Sequence, residues 1–295
     1  MFCQEHFMKY KNTLEKGFRL LFLICGLIAV AFVLLISVYL IIAGIPAIRE
    51  IGLIPFLFGD TWDAGSEQFG ILPFILTSVY GTAGAVIIGV PIGIMTALYL
   101  SKVAPPKTAK LVNTAVELLA GIPSVIYGLV GMIVVVPAVQ SVFGLSSGAC
   151  LLTAITVLAV MILPYIISIS KTALDAVAPE YEEASLALGA LKTETYFRVS
   201  LPAARRGIAT AVVQGVGRAM GEAMAIIMVA GNVANMPGLF SSVRFLTTAI
   251  VSEMSYASYG TLHRDALFSI SLVLFLILFH LIFCSLNLLQ DRFLP

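Results

Sequence analysis

The sequence predicts an all-α polytopic membrane protein with six transmembrane helices and both termini in the cytoplasm. Three observations carry that prediction. Hydrophobic residues make up 60% of the 295 and charged residues only 11%, with a mean hydropathy of +1.03, far from the balance of a soluble domain. Charge-free runs recur along the chain, each able to supply the roughly 20 apolar residues that a crossing helix needs. Lys and Arg cluster in alternate intervals between those runs, the asymmetry that sets orientation. With a formal net charge of +1, no global basic field points to nucleic acid as a partner.

The elements follow in order. Residues 1–19, with Lys9, Lys11, Lys16 and Arg19, form a cytoplasmic amino-terminal segment. The uncharged run 20–48 is longer than a secretory signal core, so it is a retained first span. Residues 49–69 carry Arg49, Glu50, Asp60, Asp63 and Glu67 among Pro and Gly. They form an external loop with an interfacial piece at 54–58 and Trp62 as an interfacial anchor. The remainder, 70–290, supplies five further helices.

The run 68–101 is uncharged and contains Gly81, Gly84, Gly89, Pro91 and Gly93. Being longer than one straight crossing, it is expected to tilt, kink at Pro91 or begin outside the lipid. Lys102, Lys107 and Lys110 then surround Pro105-Pro106 in a basic loop. Residues 118–170 hold no charge, enough for two spans divided by a turn at Pro137 and 140–148. The third span is placed at 111–136 and the fourth at 149–170. Inside the third, Gly121-Ile122-Pro123-Ser124 interrupts the helix, because Pro lacks a donor and clashes one turn back. Such a break is either a plain kink or part of a pathway, since broken helix at membrane depth is tolerated where protein or a water-filled cavity meets the freed groups.

The most polar block is 171–206. Pro179 suits the first turn of a helix, 180–188 is rich in good helix formers, and Gly189 accepts the left-handed stop conformation. A second short helix, 192–198, precedes Leu201-Pro202. The fifth span covers 207–230, a loop with Arg244 and Glu253 covers 231–264, the sixth span covers 266–290, and 291–295 is a tail. In this topology 13 Lys and Arg fall on the side of the termini and 3 on the other, which places the termini and 171–206 in the cytoplasm.

Arg218 remains inside the fifth span with Glu222. Twelve residues beyond Arg206, at about 1.5 Å each, Arg218 lies roughly 18 Å deep, near the middle of the hydrocarbon. Charges there are expensive and face a bundle interior or an aqueous path. Four residues apart on one helix, the two can pair. Two readings stand: a structural latch, or an Arg whose planar fork meets the oxygens of an anion. Gly215, Gly217 and Gly221 either let helices approach closely or leave room for a solute.

Several chemistries are excluded. Cys3, Cys25, Cys150 and Cys284 make no spaced framework, and His6, His263 and His280 have no Cys or carboxylate at ligand spacing, so neither a disulfide scaffold nor a metal site is expected. No Ser-His, Asp-Asp or H-E-x-x-H set stands within the spans, which argues against an intramembrane enzyme. No G-x-x-x-x-G-K-[ST] loop occurs, so this chain does not cradle ATP itself.

The spacing Glu183-Ala184-Ser185, three residues, Gly189, nine residues, Val199-Ser200-Leu201-Pro202 resembles the EAA loop of ABC importer permeases, with Ser185 for the second Ala and Val199 for Ile. Further segments extend the resemblance: Thr61-Trp62 with Phe69-Gly70-Ile71-Leu72-Pro73, then 117–128, then Arg218-Ala219-Met220-Gly221-Glu222. In that order they look like the PstC-type permeases of phosphate ABC importers. The resemblance implies a type I ABC importer permease-like fold in the bacterial inner membrane. It implies that Glu183, Ala184, Gly189, Leu201 and Pro202 serve coupling to a cytoplasmic ATPase. It leaves Arg218, Glu222, Pro123 and Ser124 as translocation-pathway candidates. It also implies a PstA-type permease as heterodimer partner, two copies of a nucleotide-binding subunit that uses the ATP, an external phosphate-binding protein, and no cofactor on this chain. Alternatives are a PstA-type chain, a permease for sulfate or molybdate, and a secondary anion transporter, whose sign would be repeated halves with paired discontinuous helices.

Overall fold

A computed structural model of the chain describes the backbone of residues 2–290 and the side chains of residue 15 and residues 17–283. The tail 291–295 and the side chains of Cys3, His6 and Cys284 lie outside the described residues. Among the described residues, five helices are long and apolar enough to cross a membrane: Gly17–Ile51, Leu72–Val103, Ser124–Phe143, Leu151–Asp175 and Leu262–Phe283.

The chain opens with α1 (Phe2–Ile51) and a short α2 (Leu53–Phe58). A two-stranded hairpin, β1 (Trp62–Asp63) and β2 (Gln68–Phe69), leads into α3 (Leu72–Leu98). In the hairpin turn the Ser66 hydroxyl and the Gly65 amide donate to Asp63, and hold its carboxyl below the usual range. A π-turn, Tyr99–Val103, closes α3. There follow α4 (Pro106–Gly121), α5 (Ser124–Val130), a second π-turn Gly131–Val135, α6 (Val136–Phe143) and α7 (Leu151–Asp175). The polar block holds α8 (Pro179–Ala187), α9 (Lys192–Thr195), a third π-turn Tyr196–Ser200 and α10 (Leu201–Ala203). Last come α11 (Arg205–Gly221), α12 (Met224–Val229), α13 (Leu246–Glu253) and α14 (Leu262–Gln290).

The helix α7 is the centre of the bundle, with Leu158, Met161, Ile162 and Ile166 fully buried. A seam of glycines brings α3 against it. A Cβ at Gly84, Gly89 or Gly93 would stand 2.7, 2.9 or 2.6 Å from Ile155, Ile162 or Ile166, so the branched side chains of one helix fill the space left by the other. On the far side α1 meets α14 only near its end. There Gly44 abuts Leu272, Ser269 Oγ donates to the Gly44 carbonyl at 2.6 Å, and Tyr39 meets Phe268 edge-on. Between Phe18 and Ile42 the large apolar side chains of α1 other than Leu40 are exposed.

Two sequence expectations are corrected. The reversal between third and fourth spans does not begin at Pro137. The helix runs on to Phe143 and turns at Gly144, whose φ is +62°. The π-turn before it explains this, because Val136 N–H reaches back to the Gly131 carbonyl and Pro137 falls in the first turn of a new helix, where a missing donor is tolerated. The fifth span is also not continuous across 207–230. It ends at Gly221 and restarts at Met224, with Glu222 in extended conformation (φ −75°, ψ 128°).

At the end of the bundle where α3 begins, Glu253 gathers four elements. Its carboxylate accepts from Trp62 Nε1 at 2.9 Å, lies 2.8 Å from His263 Nε2, and pairs with the Arg244 guanidinium. Arg244 also donates through Nε and Nη2 to the Asn232 carbonyl. Trp62 packs on Phe69 and Phe74, and His263 stacks on Phe69. Trp62 is therefore more than an interfacial anchor, and His263, without a carboxylate at ligand spacing in sequence, finds one in space. Removing the acceptor would leave Arg244 a partly buried charge with no counter-ion. Glu253→Ala is expected to lose about 2–4 kcal/mol, read as a fall in thermal unfolding temperature in detergent; an unchanged temperature would show that the cluster does not hold this end of the bundle.

Candidate functional site

Two helices stop and restart inside the bundle, and the restarts touch. The first break follows from the sequence: Ile122, preceding Pro123, is pushed to an extended conformation (φ −71°, ψ 127°). Pro123 then sits at the N-cap of α5 with Ser124 as its first residue. The carbonyl of Leu119 left at the end of α4 accepts the Ile122 N–H at 3.2 Å and the Tyr127 hydroxyl at 2.7 Å. The second break has no proline. Glu222 supplies what the chain lacks: its Oε1 accepts the Ala225 N–H at 3.0 Å, closing the exposed start of α12. Its backbone carbonyl accepts the Thr247 hydroxyl at 2.7 Å. Where α5 crosses α12, a Cβ on Gly128 would stand 2.7 Å from Ala225 Cα, so only Gly lets the two segments meet this closely.

This arrangement decides the fate of the expected Arg218–Glu222 pair. The two residues share a face only if the helix continues, and it ends between them. Glu222 is buried at 8% exposure and turns forward to cap α12. Among the described residues no carboxylate pairs with Arg218. Instead its guanidinium lies 4.7 Å from the centroid of the Tyr165 ring on α7, and its Nε is buried with no hydrogen-bond partner. Gly217 and Gly221 border open space, while Gly215 packs on Ile166 at 3.2 Å, so the three glycines divide between packing and room. On the other side, near Pro123, a cavity of about 320 Å³ is lined by Leu119, Ile122, Ile126, Val130, Val157 and Val160 among others. Its walls are apolar and offer nothing to an anion.

The structure thus brings Arg218 and Glu222 near the same break without joining them, and places Pro123 and Ser124 at the other break, whose restart meets that of the first. Tyr165 was missed by sequence reasoning. The only signal was a lone phenol after Pro164 in an apolar run.

Far along α3 from the Glu253 cluster, the polar block folds as the residues dictate. Pro179 is the first residue of α8, and Gly189 takes φ +87°, the left-handed stop that glycine adopts without steric cost. Glu183, Ala184 and Gly189 are exposed, as are Tyr181, Leu188 and Leu191, and no residue of α8 is buried. Leu201 and Pro202 start α10, and Ala204 packs into the core immediately after it. The second helix runs beyond the expected 198, through the π-turn into α10.

Comparison with known proteins places the chain. Residues 89–294 match the family model described as binding-protein-dependent transport system inner membrane component. The chain is 37% identical over 266 residues to the probable ABC transporter permease protein YqgH of Bacillus subtilis (strain 168), covering 88% of this chain and 86% of that one. It is 36% identical over 244 residues to the phosphate transport system permease protein PstC of Mesorhizobium japonicum, covering 76% and 74%. A chain in the crystal structure of a bacterial alginate ABC transporter, with its alginate-bound periplasmic protein, matches at a TM-score of 0.62 over 89% of this chain and 92% of that one, at 18% identity. That last likeness speaks to fold alone.

If Glu222 is a cap and not a counter-ion, its acceptor matters and its charge does not. Glu222→Gln is expected to keep near-normal thermal stability, and Glu222→Ala to lose about 1 kcal/mol. Equal losses in both, measured by thermal unfolding in detergent, would contradict the capping role.

Proposed function

The chain belongs to the family of binding-protein-dependent transport system inner membrane components, and from that premise we propose that it is a permease subunit of an ATP-driven importer of inorganic phosphate. It forms half of the translocation pathway, with a related permease of the PstA type supplying the other half. The solute class draws support from the relatives named for phosphate transport and from chemistry.

The observation that carries the reading is Arg218. A guanidinium in a membrane-embedded bundle is costly unless something answers its charge, and Glu222, the acidic residue four positions on, is committed to capping α12. Phosphate in transit would supply the missing negative charge, and the planar fork suits its oxygens. Tyr165 engages the face of the guanidinium, leaving edge donors for the solute. Pro123 and Ser124, at the other break, border the pathway where α5 meets α12. The sign of a secondary transporter is repeated halves with paired discontinuous helices; two broken helices alone do not make it, and the family supports an ATP-driven importer.

Six crossings arise from the five long helices together with the broken pair α11 and α12. The Lys and Arg asymmetry puts the termini and α8 in the cytoplasm. There Glu183 and Ala184, with the exposed Tyr181, Leu188 and Leu191, form the surface that docks one of two ATPase copies. Gly189 fixes the angle at which that surface is presented, and Leu201-Pro202 leads the chain back toward the bundle. An external phosphate-binding protein delivers the solute, and ATP is hydrolysed by the partner.

The test is uptake of labelled phosphate into vesicles holding the complete complex, with its binding protein and ATP. Arg218→Gln is expected to lower the rate about tenfold or more while the complex still assembles, because a charge-assisted contact is lost. Tyr165→Phe keeps the ring and should transport; Tyr165→Ala should not. Normal uptake by assembled Arg218→Gln would remove the residue from the pathway, and equal inhibition by sulfate or molybdate would change the solute.

A further inference from the structure

We propose that Glu182, the residue before the glutamate of the EAA-like motif, is the positioning residue that passes movement of α8 to α3, acting through Lys102. The proposal rests on the ATPase-coupling role just given to α8.

Neighbouring carboxylates on α8 point about 100° apart into different surroundings. Glu183 is exposed, whereas the Glu182 side chain is 20% exposed and points at the bundle. Its Oε1 lies 2.7 Å from Lys102 Nζ, on a lysine side chain itself only 13% exposed. The same oxygen accepts the Ser200 hydroxyl at 2.9 Å. Both partners sit in π-turns: Lys102 in Tyr99–Val103, which ends α3, and Ser200 at the close of Tyr196–Ser200. The Tyr196 hydroxyl donates to the Lys102 carbonyl at 3.2 Å, which joins the two π-turns directly. Such widened turns recur at functional sites of helices.

The elbow of α3 is held from a second direction. Ser101 Oγ donates to Asp175 Oδ1 at 2.6 Å, and Lys171 Nζ lies 2.6 Å from Asp175 Oδ2. Asp175 ends α7. Consecutive residues of one elbow therefore hang from carboxylates on two elements, one on the central helix and one on the helix at the ATPase. Displacing α8 pulls Lys102 while Asp175 holds Ser101, which turns α3 against α7 along their glycine seam. Since α8 buries no residue of its own, the charge-assisted contact of Glu182 is its strongest grip on that elbow.

The experiment uses the complete complex in vesicles with its binding protein, ATP and labelled inorganic phosphate. It compares the unmodified chain, Glu182→Ala, Lys102→Met and the exchange of Lys102→Glu with Glu182→Lys. The single variants are expected to retain the ATPase subunit and hydrolyse ATP, but to move about fivefold less phosphate per ATP, the low end of coupling effects. The charge exchange is expected to restore most of that ratio. Unchanged ratios in the single variants would overturn the proposal. Reduced ratios that the exchange does not restore would also overturn it, as would loss of the ATPase subunit from both single variants, because Glu182 would then be shaping the docking surface and not transmitting its movement. An unmodified complex that moves no phosphate on ATP addition would instead sink the transport reading itself.

Discussion

Backbone polar groups in hydrocarbon must find partners within the protein, and the two broken helices are where that demand shapes this chain. At Ile122-Pro123 the freed Leu119 carbonyl is met by the Tyr127 hydroxyl. At Glu222-Ala223 the start of α12 is met by the Glu222 carboxylate, and the Glu222 carbonyl by Thr247. The second solution has an electrostatic consequence. A carboxylate committed to a backbone amide beyond the break is turned away from the arginine before it. The break therefore separates two charges that a continuous helix would have joined, and leaves Arg218 facing Tyr165.

The same bundle divides its rigidity between its ends. At one end of α3 the Glu253 cluster ties the hairpin, the loop at Asn232, α13 and the start of α14 into one block. At the other end, about 40 Å away for 27 helical residues, Ser101 and Lys102 are tied to Asp175 and Glu182, and α8 presents Tyr181 and Leu186 outward. Between them Gly84, Gly89 and Gly93 let Ile155, Ile162 and Ile166 close onto the backbone of α3. A long helix packed closely along its length, fixed at one end by the Glu253 cluster and held at the other through Ser101 and Lys102, is suited to carry a small movement from α8 into the bundle.

What the sequence made legible was local. Pro179 and Gly189 bound α8 because each restricts or frees its own backbone, and Pro123 announces its break because the missing donor is visible in the residue type. The Glu222 break was not legible, since only the finished contact to Ala225 explains why a good helix former leaves the helix there. The expected Arg218 partner failed for that reason, and Tyr165 was hidden because it comes from another helix. Trp62 and Glu253, 191 residues apart, could not be matched by spacing, nor could Glu182 and Lys102. The π-turns carry no residue signature, and the one before Pro137 takes that proline out of the expected reversal, which falls within 140–148 at Gly144.

The central claim is that this chain moves an oxyanion only as one part of an ATP-driven assembly. The most direct measurement is labelled-phosphate uptake by vesicles containing the unmodified complete complex and its binding protein, run with ATP inside the compartment of the ATPase, with a non-hydrolysable analogue, and with an imposed proton or sodium gradient alone. Uptake is expected only with hydrolysable ATP. Uptake driven by the gradient, or equal uptake with the analogue, would contradict it.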